Sequence, residues 1–168
     1  MNLHVKTLLT LATLAVLLLV GIAWGWSAMT SPFPQKTQTK ICYPTVVQAG
    51  DRVSAPKVTV SVFNASDRVG LAERTMTGFE DQGFGTGNVG NAPKDTHVRY
   101  AQVWSDDRSD PAVRLVVSRL GPHAHIIDRQ HSGPGVVVMV GTTFGKLVSG
   151  KSSVKVTSTA TICSPPSP

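Results

Sequence analysis

Residues Thr7 to Trp26 form an unbroken run of twenty uncharged, mostly apolar residues close to the amino terminus. As a helix rising about 1.5 Å per residue, such a run spans roughly 30 Å, the hydrocarbon thickness of a bilayer. It holds seven leucines and ends in Trp24 and Trp26, side chains that suit the headgroup boundary. The remaining 142 residues must therefore fold beside or beyond a membrane.

Two readings of this run compete. A secretory signal has a basic start, an apolar run of about 7–15 residues and a small-x-small cleavage site. Lys6 and the α-amino group supply the basic start, and Ala23-Trp24-Gly25 is the nearest approach to a cleavage site. The run is long for a signal, and a bulky Trp stands beside the site, so an uncleaved anchor is the favoured reading. For orientation, Lys6 and the amino terminus weigh against Lys36 and Lys40, which lie ten or more residues past the span. The expectation is a single-pass protein of the cell membrane: residues 1–6 cytoplasmic, 7–26 the anchor (or signal), and the carboxyl-terminal domain extracytoplasmic.

Only two cysteines occur, Cys42 and Cys163. Disulfides persist in the oxidising compartments that exported chains meet, and an even pair flanking a domain reads as a bridge between its two arms. The alternative is two free thiols without a role. Neither cysteine stands in a C-x-x-C motif or has a histidine near it in sequence, which argues against redox or nucleophilic work.

The formal net charge of +6 invites a nucleic-acid reading. Between Lys57 and Leu147, however, ten Lys/Arg face nine Asp/Glu, and the excess sits in Lys6 and the flanking arms. A nucleic-acid module gathers its basic residues on one face among stacking aromatics, and aromatics make up only 6% of this chain. No nucleic acid is expected as a partner. The basic arms suit anionic lipid, anionic wall polymer or ordinary solvent.

Residues 31–40 carry two prolines and no apolar periodicity, and read as an extended stalk. Ile41-Cys42-Tyr43 is a short apolar patch, followed by a turn at Gly50-Asp51. From Lys57 the pattern becomes globular. Val58, Val60 and Val62 alternate with Thr59, Ser61 and Phe63, the period of a strand. Asn64-Ala65-Ser66-Asp67 is turn chemistry, with Ser66 or Asp67 able to cap a helix whose apolar face is Val69, Ala72, Met76 and Phe79. Gly83 reads as its stop. A weak strand near 84–89 and a clear one over 97–104 follow. Asp110-Pro111 starts a second helix with the stripe Val113, Val116, Val117 and Leu120, closed by Gly121-Pro122. Residues 123–129 form a strand candidate. Val136-Val137-Val138-Met139-Val140 belongs in the middle of a sheet with both faces covered. Residues 152–162 read as a terminal strand bringing Cys163 back towards Cys42.

The expected fold is an α/β (α+β) two-layer sandwich in the order β-α-β-β-α-β-β, with right-handed crossovers and the helices on one sheet face, preceded by one transmembrane helix. Residues 27–56 are a stalk and lead-in segment, 57–147 the domain, and 148–168 an exit segment and tail. About 90 residues give a modest core, for which a bridging disulfide is useful.

Three patterns look chemical. Residues 145–152 match G-x-x-x-x-G-K-[ST], but a phosphate loop needs a helix directly after it, and Ser153-Val154-Lys155-Val156-Thr157 is β-branched. Gly85, Gly87 and Gly90 satisfy G-x-G-x-x-G, yet the run follows a helix and leads into Asn91-Ala92-Pro93 instead of opening one. His123, His125 and His131 with Asp128 hold metal-ligand residue types, and exposed strand-edge histidines are the commoner reading. Neither G-x-S-x-G nor H-E-x-x-H occurs. Asn64-Ala65-Ser66 fits a glycosylation sequon. No metal, cofactor or catalytic residue is expected.

Val58-Thr59-Val60-Ser61-Val62-Phe63-Asn64 leading to Gly70-Leu71-Ala72, then Gly83-Phe84, Tyr100, Leu120-Gly121 and the run from Val136 to Gly141 before Phe144, resembles the LytR C-terminal domain family. That family's pattern is an apolar strand ending in Asn, a G-L-A helix start, G-F after the helix and a late strand ending in V-x-G. The match covers roughly residues 57–147. With one span and a stalk before it, the chain is similar to single-pass envelope integrity proteins of bacteria with mycolic-acid-type walls. The resemblance implies a non-enzymatic role in supporting the cell envelope, through a cell-wall polymer or an envelope protein. Related proteins often carry a glycopolymer-transferring domain before this one, and no segment here has room for it. Asn64 and Gly70 match the signature and are the candidate ligand-binding residues; a turn-forming Asn and a helix-entry Gly also explain them. The alternatives are a regulatory partner of a membrane-bound cell-wall enzyme, and an enzyme acting on wall glycans. The latter would need two carboxylates facing one sugar, for which Asp106, Asp107 and Asp110 are the candidates.

Overall fold

A computed structural model describes residues 3–30, 41–131 and 133–166 and divides into two units, Met1–Thr39 and Lys40–Pro168. The stalk expected over 31–40 lies outside the described residues. In the first unit, α1 (Leu3–Thr30) contains the run Thr7–Trp26, a helix long and apolar enough to cross a membrane and with none of its residues buried. Its threonines bond back along the helix, Thr10 Oγ1 donating to the Thr7 carbonyl at 2.9 Å and Thr13 Oγ1 to that of Leu9 at 2.5 Å. Those bonds satisfy hydroxyls that lipid could not.

The second unit is built on a five-stranded sheet of β3 (Thr59–Asn64), β4 (Gly85–Asn91), β5 (Ala101–Trp104), β6 (Ala124–Ile127) and β7 (Val136–Val140), in the spatial order β4-β3-β7-β5-β6. Helix α2 (Leu71–Asp81) crosses between the parallel neighbours β3 and β4, and α3 (Pro111–Leu120) between the parallel neighbours β5 and β6. Strand β7 pairs parallel with β3 and antiparallel with β5, which makes the sheet mixed. The expected order β-α-β-β-α-β-β is the order observed. Both helices share one core with Val58, Val60, Val62, Val103, Val136 and Val138, so they cover the same sheet face. All five residues of β7 are buried, as the central position requires.

Helix ends show where local reading succeeds and fails. Asp110 caps α3, its carboxylate accepting from the Ala112 amide at 2.7 Å with Pro111 in the first turn, as the sequence predicts. At α2 the expected cap by Ser66 or Asp67 is replaced by Gly70, whose φ of +69° is a left-handed conformation that glycine enters without penalty. Val69 therefore falls outside the helix and is 90% exposed instead of facing the core. Leu71, Ala72, Thr75, Met76 and Phe79 form the buried face. The Gly83 amide bonds the Glu80 carbonyl and the Phe84 amide that of Phe79, closing α2 where Gly83 predicts a stop. On α3, Leu115 is fully buried while Val117 of the expected stripe is half-buried.

The flanking segments are part of this unit. Strand β1 (Tyr43–Val47) pairs antiparallel with β9 (Ala160–Ser164), and β2 (Arg52–Ser54) with β8 (Ser153–Lys155). The single terminal strand expected over 152–162 is thus two strands, broken by the turn between them. Val53, Val154, Val156 and Ile162 join the same core as α2 and α3. A disulfide joins Cys42 to Cys163, with 5.4 Å between their Cα atoms.

Candidate functional site

The sheet face opposite the helices carries a second apolar cluster. Phe63 on β3, Trp104 on β5 and Val137 and Met139 on β7 point to this side because their neighbours in sequence point to the helices. Val98, Ala65, Ala92 and Ile127 pack around them. In place of a helix, described residues between the edge strand β6 and β7, among them Gln130, His131, Gly133 and Pro134, lie on this side. Ser61 fastens that segment, its hydroxyl donating to the Pro134 carbonyl at 2.6 Å while accepting from the Asn88 amide at 3.0 Å. Gly135, at φ +71°, lies so close to the Thr59 backbone that a Cβ there would overlap it.

Between this segment and residues 91–93 lies a cavity of about 530 Å3 with Phe63, Trp104, Val137 and Met139 on its floor. Asn91, Gln130 and His131 stand on its rim. The Arg129 guanidinium lies over the Trp104 ring, 4.7 Å from its centroid, and the Trp104 indole N–H donates to Gln102 Oε1 at 3.2 Å. Size, an apolar floor and a few polar groups are the features of a small-molecule site.

A second cleft, about 500 Å3, lies at the carboxyl ends of β3 and β4, where ligands of open α/β sheets commonly bind. Asn64, Ser66, Asp67, Asp95, His97 and Arg99 contribute its polar lining. Of the two expected ligand-binding residues, Asn64 is here. Its side chain is engaged in the turn: Oδ1 accepts from the Ser66 amide at 3.0 Å and hydroxyl at 2.8 Å, and Nδ2 donates to the Arg68 carbonyl at 2.7 Å. Arg68 in turn donates to the Thr142 and Phe144 carbonyls, tying the turn after β3 to the loop after β7. Gly70 supplies the left-handed helix start described above and does not line this cleft.

The three chemical-looking patterns resolve locally. Residues 145–152 are fastened to the carboxyl end of α3: the Val148 amide bonds the Arg119 carbonyl, the Lys151 amide bonds Ser118 Oγ, and Arg119 donates to the Lys151 carbonyl at 2.7 Å. Those amides are spent, and β8 follows instead of a helix. Gly85, Gly87 and Gly90 lie within edge strand β4. His123 and His125 line a crevice beside Tyr100, whereas His131 belongs to the face with Trp104. Among the described residues no group of three or more His, Cys, Asp or Glu is placed to hold a metal.

The carboxylates before α3 also have local work. Asp107 Oδ1 accepts from the Ser109 hydroxyl and amide at 2.6 and 2.7 Å, and these bonds hold its carboxyl below the usual range. Asp106 and Asp110 line a smaller cavity of about 170 Å3. Burial pushes the Asp110 carboxyl above its usual value, against the amides of Ala112 and Val113 that bond it. Raised by folding, this acid costs the fold stability only when ionised. The cost is absent below the ordinary carboxylate range and appears as pH rises through it. Asp110→Asn, which keeps a good cap, is expected to be at least as stable as the parent at pH 7, with any gain gone near about pH 3. Asp110→Ala is expected to lose about 1 kcal/mol through the missing cap. Urea midpoints at both pH values check this; an Asn variant weaker than the Ala variant at pH 7 contradicts it.

The cavity residues Phe63, Trp104 and Met139 were not legible as a site. Strand alternation marks Phe63 as facing away from Val62, and that is the only local signal. The contact of Arg129 with Trp104 joins residues far apart in sequence.

Comparison with known proteins agrees with this architecture. The sequence profile of LytR_C, described as LytR cell envelope-related transcriptional attenuator, matches residues 57–144. In shape the chain is similar to the crystal structure of the soluble domain of a conserved hypothetical secreted protein from Mycobacterium marinum. The TM-score is 0.50 at 21% identity, over 67% of this chain and 79% of that one, a likeness that speaks to fold. No curated protein matches.

Proposed function

We propose, from the premise that this chain belongs to the LytR_C family, that it is a non-enzymatic extracytoplasmic protein supporting cell-envelope integrity by binding a cell-wall polymer or an envelope protein. In this reading α1 anchors it in the cell membrane as a single span, with residues 1–6 on the cytoplasmic side. The observation that carries the reading is the union, in one chain, of the apolar run Thr7–Trp26 with a family domain closed by the Cys42–Cys163 bridge. A disulfide of this kind persists outside the reducing cytoplasm, so the helix and the bridge point to the same compartment. The cavity on the sheet face opposite the helices, the cleft beside Asn64 and the crevice beside Tyr100 are candidate surfaces for a ligand. The carboxylates Asp107 and Asp110 are engaged in starting α3, which supports a binding role over glycan hydrolysis.

Deleting the gene is expected to raise sensitivity to detergents and wall-active antibiotics. Restoring the full chain should reverse the defect, and the same chain without residues 1–26 should not. Unchanged sensitivity after deletion would overturn the reading. Crosslinking in intact cells separates a wall polymer from a membrane-bound wall enzyme as the partner.

A further inference from the structure

We infer that the crevice beside Tyr100 binds a phosphate ester, its phosphoryl oxygens met by Arg99, Gln102, His123 and His125 and the esterified group lying along the Tyr100 ring. This rests on the envelope-binding reading above and names the chemistry that one of its candidate surfaces recognises.

The backbone behind the crevice is built around one carbonyl. That of Arg99 accepts from three donors in the loop after β7: the Thr143 amide at 2.8 Å, the Thr143 hydroxyl at 2.7 Å and the Thr142 hydroxyl at 3.4 Å. The Gly141 amide bonds the Tyr100 carbonyl at 2.7 Å, and the Thr142 amide bonds that of Val98 at 3.2 Å. The two segments come so close that a Cβ at Gly141 would overlap the Val98 carbonyl, so only glycine fits there. On the other side, the Tyr100 hydroxyl donates to the Leu120 carbonyl at 3.0 Å, and its ring meets His123 edge-on with centroids 5.5 Å apart. Three pieces of the family pattern, Tyr100, Leu120-Gly121 and the end of β7 at Gly141, thus converge on this crevice. The anchoring stops at the Arg99 backbone. Among the described residues its exposed guanidinium has no hydrogen bond and no ion pair.

Donors dominate the polar lining, and no Asp or Glu is part of it. Arg99 brings a planar fork of N–H groups, the geometry that matches phosphate. Gln102 and His125 are register partners on the adjacent parallel strands β5 and β6, so they stand side by side at about 4.8 Å. Gln102 Oε1 already accepts the Trp104 indole N–H at 3.2 Å, which leaves its NH2 as the group to give a ligand. Each of His123 and His125 offers one ring N–H when neutral and two when protonated. A carboxylate has two oxygens to share among these donors and a phosphate has more, so phosphate satisfies the set better. At about 510 Å3 the crevice has room for more than the anion alone, and Tyr100 gives the attached group an aromatic wall. The cleft at the carboxyl end of β3 also has Arg99 in its lining, but there Asp67 and Asp95 would repel an anion.

The test uses the full chain, disulfide intact, in polyoxyethylene detergent micelles, which carry neither phosphate nor sugar. Glucose 1-phosphate is titrated in, with glucose, glucuronate and inorganic phosphate as comparisons. The readout is the NMR shift of the Ala101, Gln102 and Thr143 amides and of the His125 imidazole. Glucose 1-phosphate is expected to move these signals saturably, and to bind about tenfold or more tighter than glucose. Glucuronate and inorganic phosphate should each bind more weakly than the ester. Arg99→Gln should weaken the ester about tenfold, as loss of a charge-assisted hydrogen bond predicts, while leaving the unliganded spectrum in place. Arg99→Lys, which keeps the charge without the fork, should fall between the two. No binding, equal binding of glucose, full affinity in Arg99→Gln, or shifts centred on Asn64 and Asp67 would each overturn the proposal. So would an equal response to glucuronate, which would make this a carboxylate site, or to inorganic phosphate, which would make it one for the free ion. Failure here with the deletion phenotype intact removes only this ligand class. Ester binding without a deletion phenotype removes only the envelope role.

Discussion

Replacing Cys42 and Cys163 with serine is expected to lower the unfolding free energy of the domain by about 5 kcal/mol. The two residues are 121 positions apart, so the bridge closes nearly the whole folded unit into one loop. In the chain-entropy account, the restriction falls on the unfolded chain, and a loop of this length is near the upper end of the effect. Domains of this size are stable by only about 5–15 kcal/mol, so the loss is a large fraction of the total. Local structure suggests how it would show. The bridge adjoins β1 and β9, a two-stranded ribbon with five residue pairs, and such ribbons are marginal by themselves. Without the bridge, amides of the ribbon should exchange first. Urea unfolding with and without reductant measures the effect, and a loss under about 1 kcal/mol would show that the unbridged chain stays compact when unfolded.

Phe79→Ala is expected to cost about 3–5 kcal/mol. Phe79 is fully buried on α2, and its ring meets Phe84 edge-to-face, with centroids 5.2 Å apart and planes at 81°. The Phe79 carbonyl also accepts the Phe84 amide that ends the helix, so packing and helix termination converge on one residue. Removing the ring would leave a void between α2 and the sheet that the rigid neighbours could fill only in part. Val69→Ala gives the contrast: at 90% exposure it should change stability by less than about 0.5 kcal/mol. Chemical unfolding of the two variants side by side tests both statements. A Val69 variant as weak as the Phe79 variant would mean that the helix begins before Gly70.

These two residues also mark what local sequence could reveal. Val69 and Phe79 both fit a helical apolar stripe, and periodicity alone cannot separate them. The left-handed Gly70 separates them by delaying the helix until Leu71. Patterns that concern one element survived the comparison. Alternation in Val58-Thr59-Val60, the cap at Asp110-Pro111 and the uninterrupted apolar run of β7 each report the surroundings of a single segment. The family pattern located the domain because it strings several such signals together in order. Pairings between distant segments were less accessible. Nothing in Arg52-Val53-Ser54 names Ser153-Val154-Lys155 as its partner, and the break between β8 and β9 depends on that pairing. The candidate site suffers most. Asn64 stands out in sequence because a turn needs it, and the structure shows its side chain engaged in that turn. The second apolar cluster draws on β3, β5 and β7, so it exists only after the sheet has assembled.

The covalent joint between the two arms of the folded unit has a mechanical consequence. Tension applied between the leader and the carboxyl tail enters at position 42 and leaves at position 163, and these two are bonded directly through sulfur. Load would pass across that bond, while the five strands between them stay slack. A pull on the two ends of this unit would then be borne by one covalent bond, and the folded body would be spared.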